Sequence, residues 1–91
     1  MEQRKLQLAV DEATSQGRYA NLCAVSSGDS EFVLDFAFVQ PGIAKAKVHS
    51  RVILSPQQAK QLSMVLATRV AAYEERKGNI SLPVISNALK H

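Results

Sequence analysis

The sequence predicts a small α+β domain: a three-stranded antiparallel β-meander followed by one long α-helix. The first observation behind this is the stretch Arg51-Val52-Ile53-Leu54-Ser55-Pro56-Gln57-Gln58, where a strand hands over to a helix in a single step. β-Branched residues suit a half-buried strand. Ser55 fits an N-cap and Pro56 the first helical position, where its missing N–H costs nothing. Gln58, three residues after Ser55, completes a capping box. The second observation is the apolar run Phe32-Val33-Leu34-Asp35-Phe36-Ala37-Phe38-Val39, bounded by turn residues on both sides. The third is the recurrence of Ala59, Leu62, Leu66, Val70 and Tyr73 at spacings of three and four, one stripe of a helix suited to covering a sheet.

Taken in order, residues 1–17 mix charge and glutamine and are expected to form a flexible tail, or an edge strand through the alternating Leu6, Leu8 and Val10. Residues 18–78 form the β-β-β-α domain. Tyr19, Leu22, Cys23 and Val25 mark a first strand from Arg18 to Val25, and Ser26-Ser27-Gly28-Asp29-Ser30 is turn chemistry. The second strand spans Glu31 to Val39 and is broken by Gln40-Pro41-Gly42. The third runs from Lys45 to Leu54. The helix spans Pro56 to Lys77, with Gly78 as its C′ residue and Arg76 and Lys77 favourable in its last turn. Residues 79–91 form an apolar C-terminal tail, with Ile80, Leu82, Val84, Ile85 and Leu89 interrupted by Pro83.

Strand register follows from which residues need the same face. Pairing Phe38 with Val48, Phe36 with Ser50, Leu34 with Val52 and Phe32 with Leu54 puts the aromatic residues on one face. The same alignment sets Asp35 opposite Arg51, Val33 opposite Ile53 and Ala37 opposite His49. In the first hairpin, Val25 pairs with Phe32 and Cys23 with Leu34, placing Cys23 on the aromatic face under the helix. The second sheet face, with Leu22, Val33 and Ile53 around Asp35 and Arg51, is then apolar and uncovered. A three-stranded sheet with one helix covers only one of its faces, and about 60 residues is near the lower limit for a self-sufficient core. A homo-oligomer, dimer or tetramer, is therefore expected through that second face.

Bulk properties narrow the function classes. The chain has 91 residues, 46% apolar, with one cysteine and two histidines, so no internal disulfide and no Cys-His zinc spacing are available. No stretch approaches the roughly 20 apolar residues of a membrane span, and the polar N-terminus lacks a signal-peptide core, so a cytoplasmic protein with no membrane partner is expected. The net charge of +3 is uneven. Residues 45–91 carry eight bases against Glu74 and Glu75, whereas residues 19–44 carry three acids and no base.

Four ordered blocks resemble a family of short bacterial and archaeal proteins catalogued only as a domain of unknown function. These are Tyr19-Ala20-Asn21, then Glu31 to Phe36, then Ser50 to Pro56 with Ala59-Lys60, and finally Tyr73-Glu74 with Gly78 and Ile80. The resemblance covers about residues 19–80 and implies a stand-alone prokaryotic module with no activity attached; Gln57-Gln58 and Ser63-Met64 depart from the pattern. The order of three strands and a helix also resembles the SecB-type export chaperones, at the level of fold alone.

Candidate chemistry is sparse. Cys23, His49 and Asp35 are the residue types of a thiol protease, but the register separates Cys23 from the other two, and activation needs thiol and imidazole within hydrogen-bond reach. Gly-rich phosphate loops, HExxH and GxSxG are absent from the sequence. No enzyme, cofactor or metal site is expected. Lys47, His49 and Arg51 alternate along one strand and form a candidate phosphate-contacting stripe, although the phenylalanines that base stacking would need lie on the opposite face. Met64 and Val65 widen the apolar helix surface into a candidate flank for a partner. The expected function is a non-catalytic oligomeric adaptor, scaffold or chaperone-like protein-binding module. Its interface residues would be Leu22, Val33, Asp35, Arg51, Ile53, Met64 and Val65. The alternative is nucleic-acid binding through the basic strand face.

Overall fold

The computed structural model describes residues 6–82. Its elements are a one-turn helix α1 (Glu12–Ser15), strands β1 (Leu22–Ser27), β2 (Phe32–Ala37) and β3 (Val48–Leu54), and the long helix α2 (Pro56–Lys77). The strands form one antiparallel sheet in the order β1-β2-β3, giving the expected α+β architecture.

The ends of α2 lie where the local chemistry sets them. Ser55 is extended (φ −68°, ψ 159°), and its hydroxyl oxygen accepts from the Gln58 amide at 3.1 Å. Pro56 occupies the first turn. Gly78 adopts φ +96°, a conformation costly for any residue with a Cβ, and its N–H donates to the Glu74 carbonyl at 2.8 Å. The chain then turns back, and the Ile80 amide donates to Glu74 Oε2 at 2.9 Å. Of the expected apolar tail 79–91, the described residues reach only Leu82; Val84, Ile85 and Leu89 lie outside them.

Register between β2 and β3 follows the expected alignment from Phe32 opposite Leu54 to Phe36 opposite Ser50, including Asp35 opposite Arg51. Beyond Phe36 it departs. A bulge sets Ala37 opposite Val48, not His49, and Phe38 has no partner in the ladder. The extra residue, His49, is held by its surroundings: its carbonyl accepts from Arg18 Nη1 at 3.0 Å. Its Nε2 lies 3.1 Å from the Tyr19 carbonyl oxygen and its Nδ1 2.7 Å from Ser50 Oγ. In the first hairpin the pairs are Val25 with Leu34 and Cys23 with Phe36, two residues from the expected register. A slip of two preserves which face each side chain takes, so Cys23 stays on the aromatic face. The hairpin closes with the Gly28 amide donating to the Glu31 carbonyl at 2.9 Å.

Residues 19–21 run beside residues 37–39 without joining the ladder. The Asn21 amide donates to the Ala37 carbonyl at 3.1 Å. Its side chain then takes the place of a backbone pair: Nδ2 donates to the Val39 carbonyl at 3.0 Å, and Oδ1 accepts the Val39 N–H at 2.7 Å. Tyr19 meets Phe38 edge to face, with ring centroids 5.8 Å apart. The first strand therefore begins at Leu22, four residues later than expected. The expected N-terminal tail or edge strand instead contains α1, whose N-cap Asp11 accepts from the Thr14 amide at 2.8 Å.

The core is where the fold departs most from expectation. Among the described residues only Ala37 is buried, at 1% exposure, and no residue of α2 is buried. The expected stripe does face the sheet, but it does not close on it: Leu62, Leu66, Val70 and Tyr73 are all exposed, Leu66 by 56%. The chain exposes 8717 Å². A compact domain of the 77 described residues would expose about 4,600 Å². The fourteen residues outside the described range contribute at most about 2,400 Å² even if fully extended, so the described residues exceed a compact domain by roughly 1,700 Å².

Two substitutions test the local reading. Asn21→Ala is expected to lower stability by about 1 kcal/mol and to speed hydrogen exchange at the Val39 amide, read by urea denaturation and exchange NMR. Ser55→Ala is expected to cost about 1 kcal/mol through the lost cap, with α2 fraying from its first turn in the amide exchange pattern.

Candidate interaction surface

The aromatic sheet face and α2 diverge from the Ser55 junction and enclose a groove of about 470 Å³. Its sheet wall is Cys23 and Val25 from β1, Phe32 and Leu34 from β2, and Leu54 from β3; its helix wall is chiefly Ala59, Leu62 and Leu66. Lys60 and Ser63 are the polar residues at its margin. The lining stops at Leu66. Val70 and Tyr73, farther along the same stripe, line a separate shallow concavity with Arg69 and the returning Ile80. The Arg76 guanidinium lies 5.7 Å from the Tyr73 ring centroid. Length accounts for the mismatch. A helix of 22 residues is about 33 Å long, whereas strands of six or seven residues span about 20–23 Å.

The opposite end of the aromatic face is bordered by the N-terminal segment. Gly17, at φ +73°, turns the chain after α1, and Thr14, Gln16 and Arg18 border a concavity with Phe36, His49, Ser50 and Val52. His49 and Ser50 form its polar corner. A carbonyl can only accept, so in the neutral imidazole the proton resides on Nε2, facing Tyr19, and Nδ1 accepts from the Ser50 hydroxyl. Both ring nitrogens are engaged, and neither bonds Cys23. The Cys23 thiol is pushed up in pKa, first by burial and second by the Asp35 charge, which disfavours the thiolate.

On the second face the register brings Leu22 beside Ala37, Val33 beside Ile53 and Asp35 beside Arg51. Five of the seven candidate interface residues thus share one surface, and Ile53 is 58% exposed on it. Arg51 grips Asp35 through two hydrogen bonds, Nε to Oδ1 at 2.7 Å and Nη2 to Oδ2 at 2.9 Å. The carboxylate is only 19% exposed and the guanidinium 62%, so the arginine covers the acid from the solvent side. That bidentate bond is the main reason the Asp35 carboxyl is held below its ordinary pKa. Met64 and Val65 are exposed on α2 and do not line the groove.

The basic row does not form as a row. Lys47 precedes β3, the bulge takes His49 out of the alternation, and Arg51 is paired with Asp35. The residues that sequence reasoning missed are Arg18, Tyr19 and Asn21. Tyr19 reads from the sequence only as a strand residue and Tyr19-Ala20-Asn21 as a block of the resemblance; an asparagine immediately before a strand is the available signal for a side chain acting as a strand end.

The chain belongs to the family described as "Protein of unknown function (DUF3467)", which matches residues 1–82. No curated protein and no solved structure gives a match. Among the described residues no helix is long and apolar enough to cross a membrane.

The Asp35–Arg51 pair sets a pH signature. Because the folded-state pKa of Asp35 is depressed, its contribution to stability is complete above the unfolded value near 3.8 and is lost as pH falls through the lower folded value. Asp35→Asn is therefore expected to be less stable than the native chain at neutral pH, with the gap closing on acidification; urea midpoints measured across that pH range check it.

Proposed function

We propose that this protein is a non-catalytic, oligomeric protein-binding module, an adaptor or scaffold of chaperone-like character, whose single chain is one part of a larger core. The observation that carries this reading is the near-absence of buried residues among those described, although the elements are well capped and regular. Folding must offset roughly 1–2 kcal/mol of backbone entropy per ordered residue, chiefly by removing apolar surface from water. Ala37 alone does not supply that. The apolar groove, the second sheet face around Ile53 and the Met64–Val65 flank supply it once they are covered. Cytoplasmic location is part of the proposal, consistent with a lone cysteine.

Nucleic-acid binding gains no specific support, because the row of Lys47, His49 and Arg51 is interrupted. The two readings separate by salt. Phosphate contacts release counterions and weaken steeply as salt rises, whereas apolar association does not. Light scattering after size exclusion, at low and high salt, is expected to give a stable multiple of 9.9 kDa at both. A 9.9 kDa species at every concentration would sink the oligomeric reading. Retention of a mixed-sequence oligonucleotide only at low salt would favour the nucleic-acid alternative.

A further inference from the structure

The sequence pointed to the second sheet face as the surface the copies share; the open groove on the aromatic face is the better fit. We propose that a second copy of this chain fills the groove between α2 and the aromatic sheet face, each α2 laying its distal half over its partner's sheet about a two-fold axis. The proposal rests on the oligomeric reading above and adds its geometry.

Three observations favour this occupant. The first is area. The excess of roughly 1,700 Å² per chain matches the share each partner contributes to an obligate homodimer interface, for which totals of about 2,000–5,000 Å² are usual. The second is the chemistry of the walls. Val25, Phe32, Leu34, Leu54, Leu62 and Leu66 offer an apolar trough with almost no hydrogen-bonding demand, so its occupant must be apolar along its length.

The third is the continuity of the helix stripe. Leu62 and Leu66 line the groove, while Val70 and Tyr73 continue the same stripe beyond the sheet, exposed. A two-fold axis near the middle of α2 turns that overhang into the missing lid of the partner's groove, and the partner's overhang into the lid of its own. Such an isologous contact closes on itself and leaves no unsatisfied copy.

Cys23 makes this testable without altering the chain, because the only cysteine lines the groove and is exposed in the single chain. The probe is a maleimide fluorophore, with labelling rate followed against protein concentration beside the light-scattering mass. The expected result is a dimer in which Cys23 labels at least ten-fold more slowly than in the dissociated chain, with the rate rising on dilution as the mass halves. Val70→Glu is expected to give a monomer with fast labelling and a weakened helical circular-dichroism signal, because the uncovered chain lacks a sufficient core of its own. Should that variant unfold, Tyr73→Ala is expected to weaken the dimer and speed labelling in parallel.

Other outcomes overturn the proposal. A dimer whose Cys23 labels fast uses a different surface, leaving the oligomeric reading intact and this geometry wrong. A dimer that withstands Val70→Glu or Tyr73→Ala with Cys23 still protected does not use the helix overhang. A monomer with slow labelling, released by deleting residues 83–91, would make the chain's own C-terminus the occupant and would end both readings.

Discussion

Everything distinctive about this molecule depends on the one-residue joint at Ser55. The last strand ends at Leu54 and the helix begins at Pro56, so the serine must serve as linker and cap together. Its hydroxyl is committed to the Gln58 amide, and Pro56 has a fixed φ, so the joint has little freedom to re-aim the helix. The helix therefore leaves the sheet in the direction that the cap sets. It keeps its apolar stripe turned toward the aromatic face while rising away from it. A longer linker would allow the helix to lie down on its own sheet; a joint of one residue holds it off.

Features governed by local chemistry were legible in the sequence. Both ends of the long helix fall where Ser55-Pro56 and Gly78 place them, because caps act over three or four residues and need no tertiary information. The pairing of β2 with β3 was legible because a single acid inside a hydrophobic strand has one sensible partner. Asp35 opposite Arg51 brings with it the alignment from Phe32–Leu54 to Phe36–Ser50.

What stayed hidden has physical causes as well. Face patterning repeats every two residues, so it cannot distinguish a hairpin register from one displaced by two, and β1 shows that displacement. The bulge at His49 leaves no trace in alternation either: Lys47, His49 and Arg51 keep a regular spacing in sequence while the backbone breaks it. The cause lies in remote groups, Arg18 and the Tyr19 carbonyl, which hold His49 by hydrogen bonds some 30 residues away in sequence. Amphipathic spacing likewise identified the apolar stripe of the helix but carried no information about whose surface it would meet. The five sheet residues proposed as an interface did come together on one face; Met64 and Val65, expected as a separate flank, are exposed on the helix.

The strictly sequential order of the strands has a bearing on how the chain comes into being. Each strand pairs only with its neighbour in sequence, so the meander needs no contact with any residue beyond Leu54. During vectorial synthesis the sheet can assemble from local hairpins while the helix is still emerging. Throughout that interval the row of phenylalanines is bare. A nascent chain of this kind is at its most adhesive after its sheet forms and before its last element arrives, so the rate of finishing the helix and meeting a neighbour, more than the stability of the sheet, governs how much of it escapes aggregation.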